Sequence, residues 1–258
     1  MRELLIQTAL MAGKEILNIR DGSGFAVSLK DDQSPVTLAD QNAERIITHS
    51  LEELYPEHSI VAEERVSIGI MPQNCASYFL IDALDGTKEF ISGKDDFTVN
   101  IAFIREGTPV FGIVYAPALK VLWVGEDGRC EKLAISEDFK VLKREAIQTR
   151  ERPVSLVAVV SRSHCNERTD QFVQDNGYVD TASIGSSLKF CLLAEGLADV
   201  YPRFSRTMQW DTAAGDAVLR AAGGKVLQLD GSPLKYLFDT NQLELLANPD
   251  FIAWGRAE

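Results

Sequence analysis

The chain has 258 residues, with 26 Lys+Arg against 38 Asp+Glu, a formal net charge of −12 and 45% hydrophobic residues. That balance belongs to a globular protein with a sizeable core, in one large domain or two packed lobes, and excludes a disordered or fibrous chain. It also argues against a general nucleic-acid coat, which needs a basic surface, while small phosphates stay open to an acidic protein if metal ions supply positive charge.

In chain order, Leu5, Ala9, Ala12, Ile16 and Ile19 recur at helical spacing and predict an amphipathic helix over residues 3–19. Glu3, Lys14 and Glu15 interrupt that stretch, so it does not read as a signal peptide. No apolar run approaches the roughly 18–20 residues of a membrane span. A second helix is predicted over 40–54, with Ala43, Ile47, Leu51 and Leu54 on one face. Between the two, Gly22, Gly24 and Ser34-Pro35 mark a loop or hairpin. Strands follow at Tyr78–Ile81, Phe97–Ile104, Val110–Tyr115 and Val121–Val124, the last three as an antiparallel meander.

Residues 130–152 are charged and weakly patterned, a candidate boundary between an α+β lobe over 1–150 and an α/β lobe over 151–258. Beyond it, Val154–Val160 reads as a buried strand, 187–197 as a helix, Asp199–Tyr201 as a strand, 211–222 as a helix stopped by Gly223-Gly224, and Lys225–Leu229 as a strand. Helices and strands mix without strict βαβ alternation, which predicts α+β or a layered αβαβα sandwich. Cys75, Cys130, Cys165 and Cys191 are far apart with no CxxC, so a reduced, cytoplasmic protein without structural disulfides is expected.

Five segments carry chemistry. In Ile81-Asp82-Ala83-Leu84-Asp85-Gly86-Thr87 an apolar strand runs into two carboxylates three apart, then Gly-Thr. Clustered oxygen ligands suit a hard cation such as Mg²⁺, and Gly86 allows a tight turn whose N–H groups face an anion, although Asp and Gly are also ordinary turn residues. In Lys30-Asp31-Asp32-Gln33-Ser34-Pro35-Val36-Thr37-Leu38-Ala39-Asp40, Thr37 or Asp40 can cap a helix that puts Asp40 and Glu44 on one face; a dipole-favoured acidic helix start reads the same. Val61-Ala62-Glu63-Glu64-Arg65 reads as a strand end bearing carboxylates or as a charged loop paired with Arg65. Trp210-Asp211-Thr212-Ala213-Ala214-Gly215 places Asp211 at a helix start, as a ligand or merely an N-cap, with small residues suited to close packing. Gly185-Ser186-Ser187-Leu188-Lys189 and the later Arg203, with Ser161-Arg162-Ser163-His164, are candidates for a second phosphate or for a capped core helix and a surface arginine.

Taken together, SPVTLAD with Glu44, AEE, IDALDGTKEF, WDTAAG and the terminal AGG resemble the inositol monophosphatase superfamily of metal-dependent, lithium-sensitive phosphatases. The motifs run from residue 30 to 224, nearly the whole chain. Within it, KDDQSPVT, LDGTKEFI, FTVNIAFI, GIVYAP, SRSH and GSSLKFCLLAEGLADVYPRF are most similar to the CysQ-type branch, the 3′(2′),5′-bisphosphate nucleotidases. Ala83 departs from the usual Pro of that turn; only the carbonyl of residue 84 is needed there.

The resemblance implies an αβαβα sandwich and two or three Mg²⁺ ions. Glu63, Asp82 and the Leu84 carbonyl would hold one ion, and Asp82, Asp85 and Asp211 a second. Asp32 and Thr87 would activate water, with Asp32 near a third ion and Asp40 supporting the cluster from behind. Gly86 and Thr87 would cradle the scissile phosphate beside Glu63, Leu84, Asp85 and Asp211, while His164, Ser186, Lys189 and Arg203 would bind the nucleotide and its retained 5′-phosphate. The implied substrate is adenosine 3′,5′-bisphosphate (PAP), with the sulfated nucleotide PAPS as a further candidate, in a role linked to sulfate assimilation. Neither nucleic acid nor a stable protein partner is implied. Some such relatives associate peripherally with the inner membrane; no anchor is legible here. An inositol or sugar monophosphatase would keep the metal cluster without needing Lys189 and Arg203, and a catalytically silent phosphate-binding protein would have a broken metal set.

Overall fold

The computed structural model describes residues 1–22, 27–30, 35–73, 75–162, 166–237, 239 and 242–256. Its elements in order are α1 (Arg2–Asp21), β1 (Val27–Leu29), β2 (Pro35–Thr37), α2 (Leu38–Leu54), β3 (Ser59–Ala62), α3 (Glu63–Ser67), β4 (Ser77–Asp85), α4 (Thr87–Ile91), β5 (Thr98–Arg105), β6 (Thr108–Ala116), β7 (Val121–Glu126), β8 (Arg129–Ile135), β9 (Val141–Ala146), β10 (Val157–Ser161), α5 (Glu167–Asp175), β11 (Val179–Ile184), α6 (Leu188–Ala194), β12 (Val200–Arg203), α7 (Gln209–Ala221), β13 (Lys225–Gln228) and β14 (Phe251–Trp254).

A seven-stranded sheet runs in sequence order from β3 to β9, antiparallel except for the parallel β3–β4 pair. A five-stranded sheet has the order β11-β10-β12-β14-β13, with β10 parallel to both its neighbours. β1 and β2 form a separate hairpin. Alternation along the larger sheet sends Phe79, Ile81, Ile101, Phe103 and Ile113 to a core shared with α1 and α2. It sends Tyr78, Leu80, Ala102, Ile104 and Val114 to a second core shared with α6 and α7. That second core continues to Val159, Tyr201, Phe251 and Ala253 of the smaller sheet, whose outer face packs Ala158 and Val200 against Val173 of α5. Five layers result, α1/α2, sheet, α6/α7, sheet, α5, which is the expected αβαβα sandwich.

The central layer is tight because the sequence supplies small residues where helix meets sheet. A methyl added at Gly112 of β6 would lie 2.4 Å from the Ala214 carbonyl of α7, and one at Gly215 would lie 2.4 Å from the Phe190 ring of α6. The Ala213-Ala214-Gly215 run is therefore used for close packing, as its composition suggested.

Several boundaries differ from the sequence reading. α2 starts at Leu38, because Thr37 caps it: the Thr37 hydroxyl accepts the Ala39 N–H, and Asp40 accepts the Thr37 N–H at 2.7 Å. Residues 129–146 form two strands, missed because β9 is an edge whose residues are exposed on both faces and so show no alternation. The strand expected from Val154 begins at Val157, with Val154 fully exposed. The helix over 187–197 stops at Ala194, ahead of Gly196 at φ +70°. α5, β11 and β14 carried no sequence prediction. Cys75, Cys130 and Cys191 are free thiols; Cys165 lies outside the described residues.

Candidate active site

Residues three apart on a regular strand point to opposite faces, so Asp82 and Asp85 should not share a side. A bulge in β4 brings them together: Asp82 faces Asn100 and Asp85 faces Thr98, so three steps on β4 match two on β5. The extra residue puts both carboxylates on the side of the sheet covered by α7. Asp211 arrives there from α7. It is not the N-cap: the helix begins two residues earlier, and Asp211 sits in its first turn, accepting the Met208 N–H at 2.9 Å. Glu63 arrives from the end of β3, as the first residue of α3.

One carboxylate oxygen each from Glu63, Asp82 and Asp211 lie within 4.8 Å of one another. Burial, then the charges of Glu63, Asp85 and Asp211, hold the Asp82 carboxyl well above the usual carboxylate range. Asp211 is raised likewise, by burial and then by Asp85 and Glu63. Asp85 is raised by burial, with Lys189 opposing. Among the described residues, Asp82, Asp85 and Asp211 have no ion-pair partner. Buried, mutually repelling oxygens from a bulged strand and two helices fit a hard divalent cation.

A supporting frame surrounds these groups. Asp40, 3% exposed, accepts the Thr37 N–H and hydroxyl on one oxygen and lies 2.9 Å from the Thr87 hydroxyl on the other. Burial raises its pKa against those three bonds. One helical turn on, Glu44 accepts the N–H groups of Glu64 and Arg65 at 2.7 and 2.9 Å, fixing the start of α3. Burial pushes its carboxyl up to about 7. Asp40 and Glu44 do share a helix face: Asp40 completes the capping box with Thr37 and also reaches Thr87, while Glu44 holds the start of α3. Lys30 lies 2.6 Å from both Glu63 and Glu64. Those carboxylates are thus paired with Lys30, while Arg65 pairs with Glu52 at 2.7 Å.

The opposite wall comes from the loops after β11 and β12. Ser187 Oγ lies 3.0 Å from Asp85 Oδ2 and 2.6 Å from the Asp211 carbonyl, and accepts from Asn100 Nδ2 at 2.8 Å. Ser186, at φ +50°, has a buried hydroxyl with no hydrogen-bond partner among the described residues. Lys189, 3% exposed, donates to the Ser186 carbonyl at 2.5 Å and sits over the Tyr201 ring. Burial lowers its pKa to about 8. Arg203, 6% exposed, donates to the carbonyls of Ser205 and Arg206. Asp96 braces the two walls: its carboxylate accepts the Gly185 N–H at 2.7 Å and pairs with Arg162.

These groups line one cleft of about 580 Å³, which takes in Glu63, Asp82, Leu84, Asp85, Gly86, Thr87, Ser186, Lys189, Arg203 and Asp211. Those are ten of the twelve site residues read from the sequence. The other two, Asp32 and His164, lie outside the described residues. The cleft also takes in Lys30, Lys88 and Arg206, to which the sequence reading gave no role. Lys30 and Lys88 stand inside motifs already singled out. Arg206 stands in none, and only the folded loop reveals it.

A profile of the inositol monophosphatase family matches residues 1–253. The chain belongs to the inositol monophosphatase family. Family relatives include the protein named 3′(2′),5′-bisphosphate nucleotidase CysQ in Salmonella typhimurium, 43% identical over 252 residues, covering 97% of this chain and 98% of that one. The Escherichia coli protein of the same name matches with the same identity and coverage. A crystal structure of CysQ from Bacteroides thetaiotaomicron superposes with TM-score 0.81 at 36% identity, covering 99% of this chain and 97% of that one. A Thermotoga maritima IMPase, at TM-score 0.76 and 23% identity over 98% of this chain and 91% of that one, shows the shared fold. The family is generally Mg²⁺-dependent, in keeping with the acidic cluster. Among the described residues, no helix is long and apolar enough to cross a membrane.

Proposed function

We infer that this protein is a Mg²⁺-dependent 3′(2′),5′-bisphosphate nucleotidase that hydrolyses the 3′-phosphate of PAP to AMP and inorganic phosphate. The observation that carries the reading is the cluster of Glu63, Asp82 and Asp211, with Asp85 beside it, sharing one cleft with Lys189, Arg203 and Arg206. The names of the CysQ relatives support it. Glu63, Asp82 and the Leu84 carbonyl would hold one ion, and Asp82, Asp85 and Asp211 another, with Asp32 available to a third. Bound Mg²⁺ supplies charge neutralisation at the phosphoryl oxygens and lowers the pKa of water.

The chain's own residues orient the reaction. The Thr87 hydroxyl, directed at Asp40 Oδ1, has lone pairs free to accept a hydrogen bond from the attacking water. As the water oxygen bonds to phosphorus and the bond to the 3′-oxygen breaks in line with it, the water's proton passes to Thr87 and the Thr87 proton to Asp40, while the departing 3′-oxygen takes up a proton from solvent water to become the 3′-hydroxyl of AMP. Burial, which raises the Asp40 pKa, suits it to that role. Asp32 is the other candidate base. Gly86 and Thr87 would hold the scissile phosphate, and Ser186, Lys189, Arg203 and His164 the nucleotide.

The test is phosphate release from PAP and from inositol 1-phosphate, side by side in Mg²⁺, with chelator and with Li⁺ as controls. The reading expects a strong preference for PAP, lost with chelator and reduced by Li⁺. Preference for inositol 1-phosphate would keep the metal site but remove the role given to the cationic wall. No turnover of either would point to a silent binding protein.

A further inference from the structure

Ser187, just ahead of α6, is buried, and its hydroxyl oxygen touches two groups of the acidic wall at once: Asp85 Oδ2 at 3.0 Å and the Asp211 carbonyl at 2.6 Å. A hydroxyl has a single proton, so it serves these two acceptors one at a time. Asn100 of β5 donates an N–H to Ser187 Oγ at 2.8 Å and turns the same amide nitrogen to Asp85 Oδ2 at 3.4 Å. Thr98, two residues earlier on the same face of β5, adds a hydroxyl 3.5 Å from that oxygen. Neither Asn100 nor Thr98 has any exposed surface.

All three side chains converge on one oxygen of one carboxylate. Among the described residues, no hydrogen bond reaches the other oxygen, Asp85 Oδ1. The Asn100 amide is oriented by that choice, since the opposite orientation would set its carbonyl oxygen against the carboxylate. As it stands, that carbonyl oxygen is buried without a partner among the described residues, an unpaired end kept so that the N–H end can face Ser187 and Asp85. Whichever acceptor holds the Ser187 proton, Ser187 Oγ and the Asn100 amide occupy the approach to Oδ2.

We propose that Ser187 and Asn100 limit Asp85 to a single coordinating oxygen, Oδ1, and thereby set the site's preference for a small octahedral cation over a larger one. This rests on the metal assignment in the reading above and adds what selects the metal. Mg²⁺ demands near-octahedral geometry, which a two-oxygen bite from one carboxylate distorts; Ca²⁺ takes larger shells and accepts both oxygens of one carboxylate. With Oδ2 engaged, Asp85 has one oxygen to offer, which suits the first cation and handicaps the second. Ser187 and Asn100 act through Asp85 and are positioning residues.

The test titrates the full chain, free of substrate, with magnesium chloride and with calcium chloride by calorimetry. Ser187→Ala should weaken Mg²⁺ binding and leave Ca²⁺ binding equal or tighter, lowering the ratio of the Ca²⁺ to the Mg²⁺ dissociation constant by roughly tenfold. Asn100→Ala, which removes the amide, should move the ratio in the same direction; thermal melting checks that each variant folds. Ca²⁺ should also compete more strongly with Mg²⁺ in phosphate release by Ser187→Ala. In an Asp85→Asn background, Ser187→Ala should move the ratio no further, which ties the effect to Asp85. Equal weakening of both cations would make Ser187 and Asn100 a structural tie between β5 and α6 and overturn the proposal. So would an unmoved ratio, or a shift that survives in Asp85→Asn. Because no substrate is present in the titration, a chain that prefers another phosphomonoester to PAP loses the nucleotidase reading and keeps this one. A wild-type chain that binds no Mg²⁺ loses both.

Discussion

On the wall built from β3, β4 and the start of α7, four carboxylates converge, and three of them have no cationic side chain bonded to them among the described residues. On the facing wall, Lys189 and Arg203 are buried cations whose donors go to main-chain carbonyls, and Arg206 stands free. The first wall stores repulsion that a bound cation relieves. The second also stores some, since burial and the nearby Arg203 charge disfavour the charged form of Lys189, but its buried cations are bonded to main-chain carbonyls. Whatever depends on the scissile phosphate should therefore fail at the first wall for any phosphomonoester. Whatever depends on the rest of the substrate should fail at the second wall for the bisphosphate alone.

Asp85→Asn is the sharpest attempt to break this division. It should lower kcat by roughly a thousandfold for PAP and 3′-AMP alike, with circular dichroism unchanged. A normal rate in Mg²⁺ would remove Asp85 from the metal set. Thr87→Val should lower kcat about a hundredfold with KM little moved, and Thr87→Ser should restore most of it. A loss expressed only in KM would make Thr87 a binding group. Glu44→Gln lies one step behind the wall, holding the N–H groups that begin α3. It should weaken Mg²⁺ affinity about tenfold, read by calorimetry and by a smaller Mg²⁺-induced rise in melting temperature. Equal Mg²⁺ affinity would show that Glu63 does not depend on that frame.

The smallest effect sharpens the second wall. Lys189, lowered to about 8 by burial, is charged below that pH and neutral above it. kcat/KM for PAP should thus fall as pH rises through about 8. Lys189→Met should show a lower plateau by roughly tenfold and no such limb. A limb that persists in Lys189→Met would assign it to another group.

The first wall was far more legible in the sequence than the second, for physical reasons. Asp82, Asp85 and Thr87 are close neighbours in sequence, and Glu63 and Asp211 each stand in the first turn of a helix, so local spacing carries most of the arrangement. The β4 bulge that turns Asp82 and Asp85 to one side is a pairing event with β5 and left no mark in the spacing. The Asp40–Thr87 bond joins residues 47 positions apart, so the sequence suggested support but not its target. On the second wall the motif named Arg203 correctly as part of the cleft. It could not reveal that this guanidinium is bonded to its own loop, because that depends on the path of residues 204–207. In the fold, the layers were readable from alternation, whereas β9 was not, since an exposed edge has no apolar face to announce it.

The missing side chain at Gly112 has one more consequence. The gap between β6 and α7 is set by that absence, and Asp211 rides on the first turn of the same helix. A lineage descended from this chain is free to exchange the exposed side chains that line the cleft, such as Lys88 and Arg206, without moving any element of the fold. It cannot add a methyl at residue 112 without pushing α7 away and carrying Asp211 off with it. Innovation in what this cleft accepts is thereby separated from inheritance of what it does.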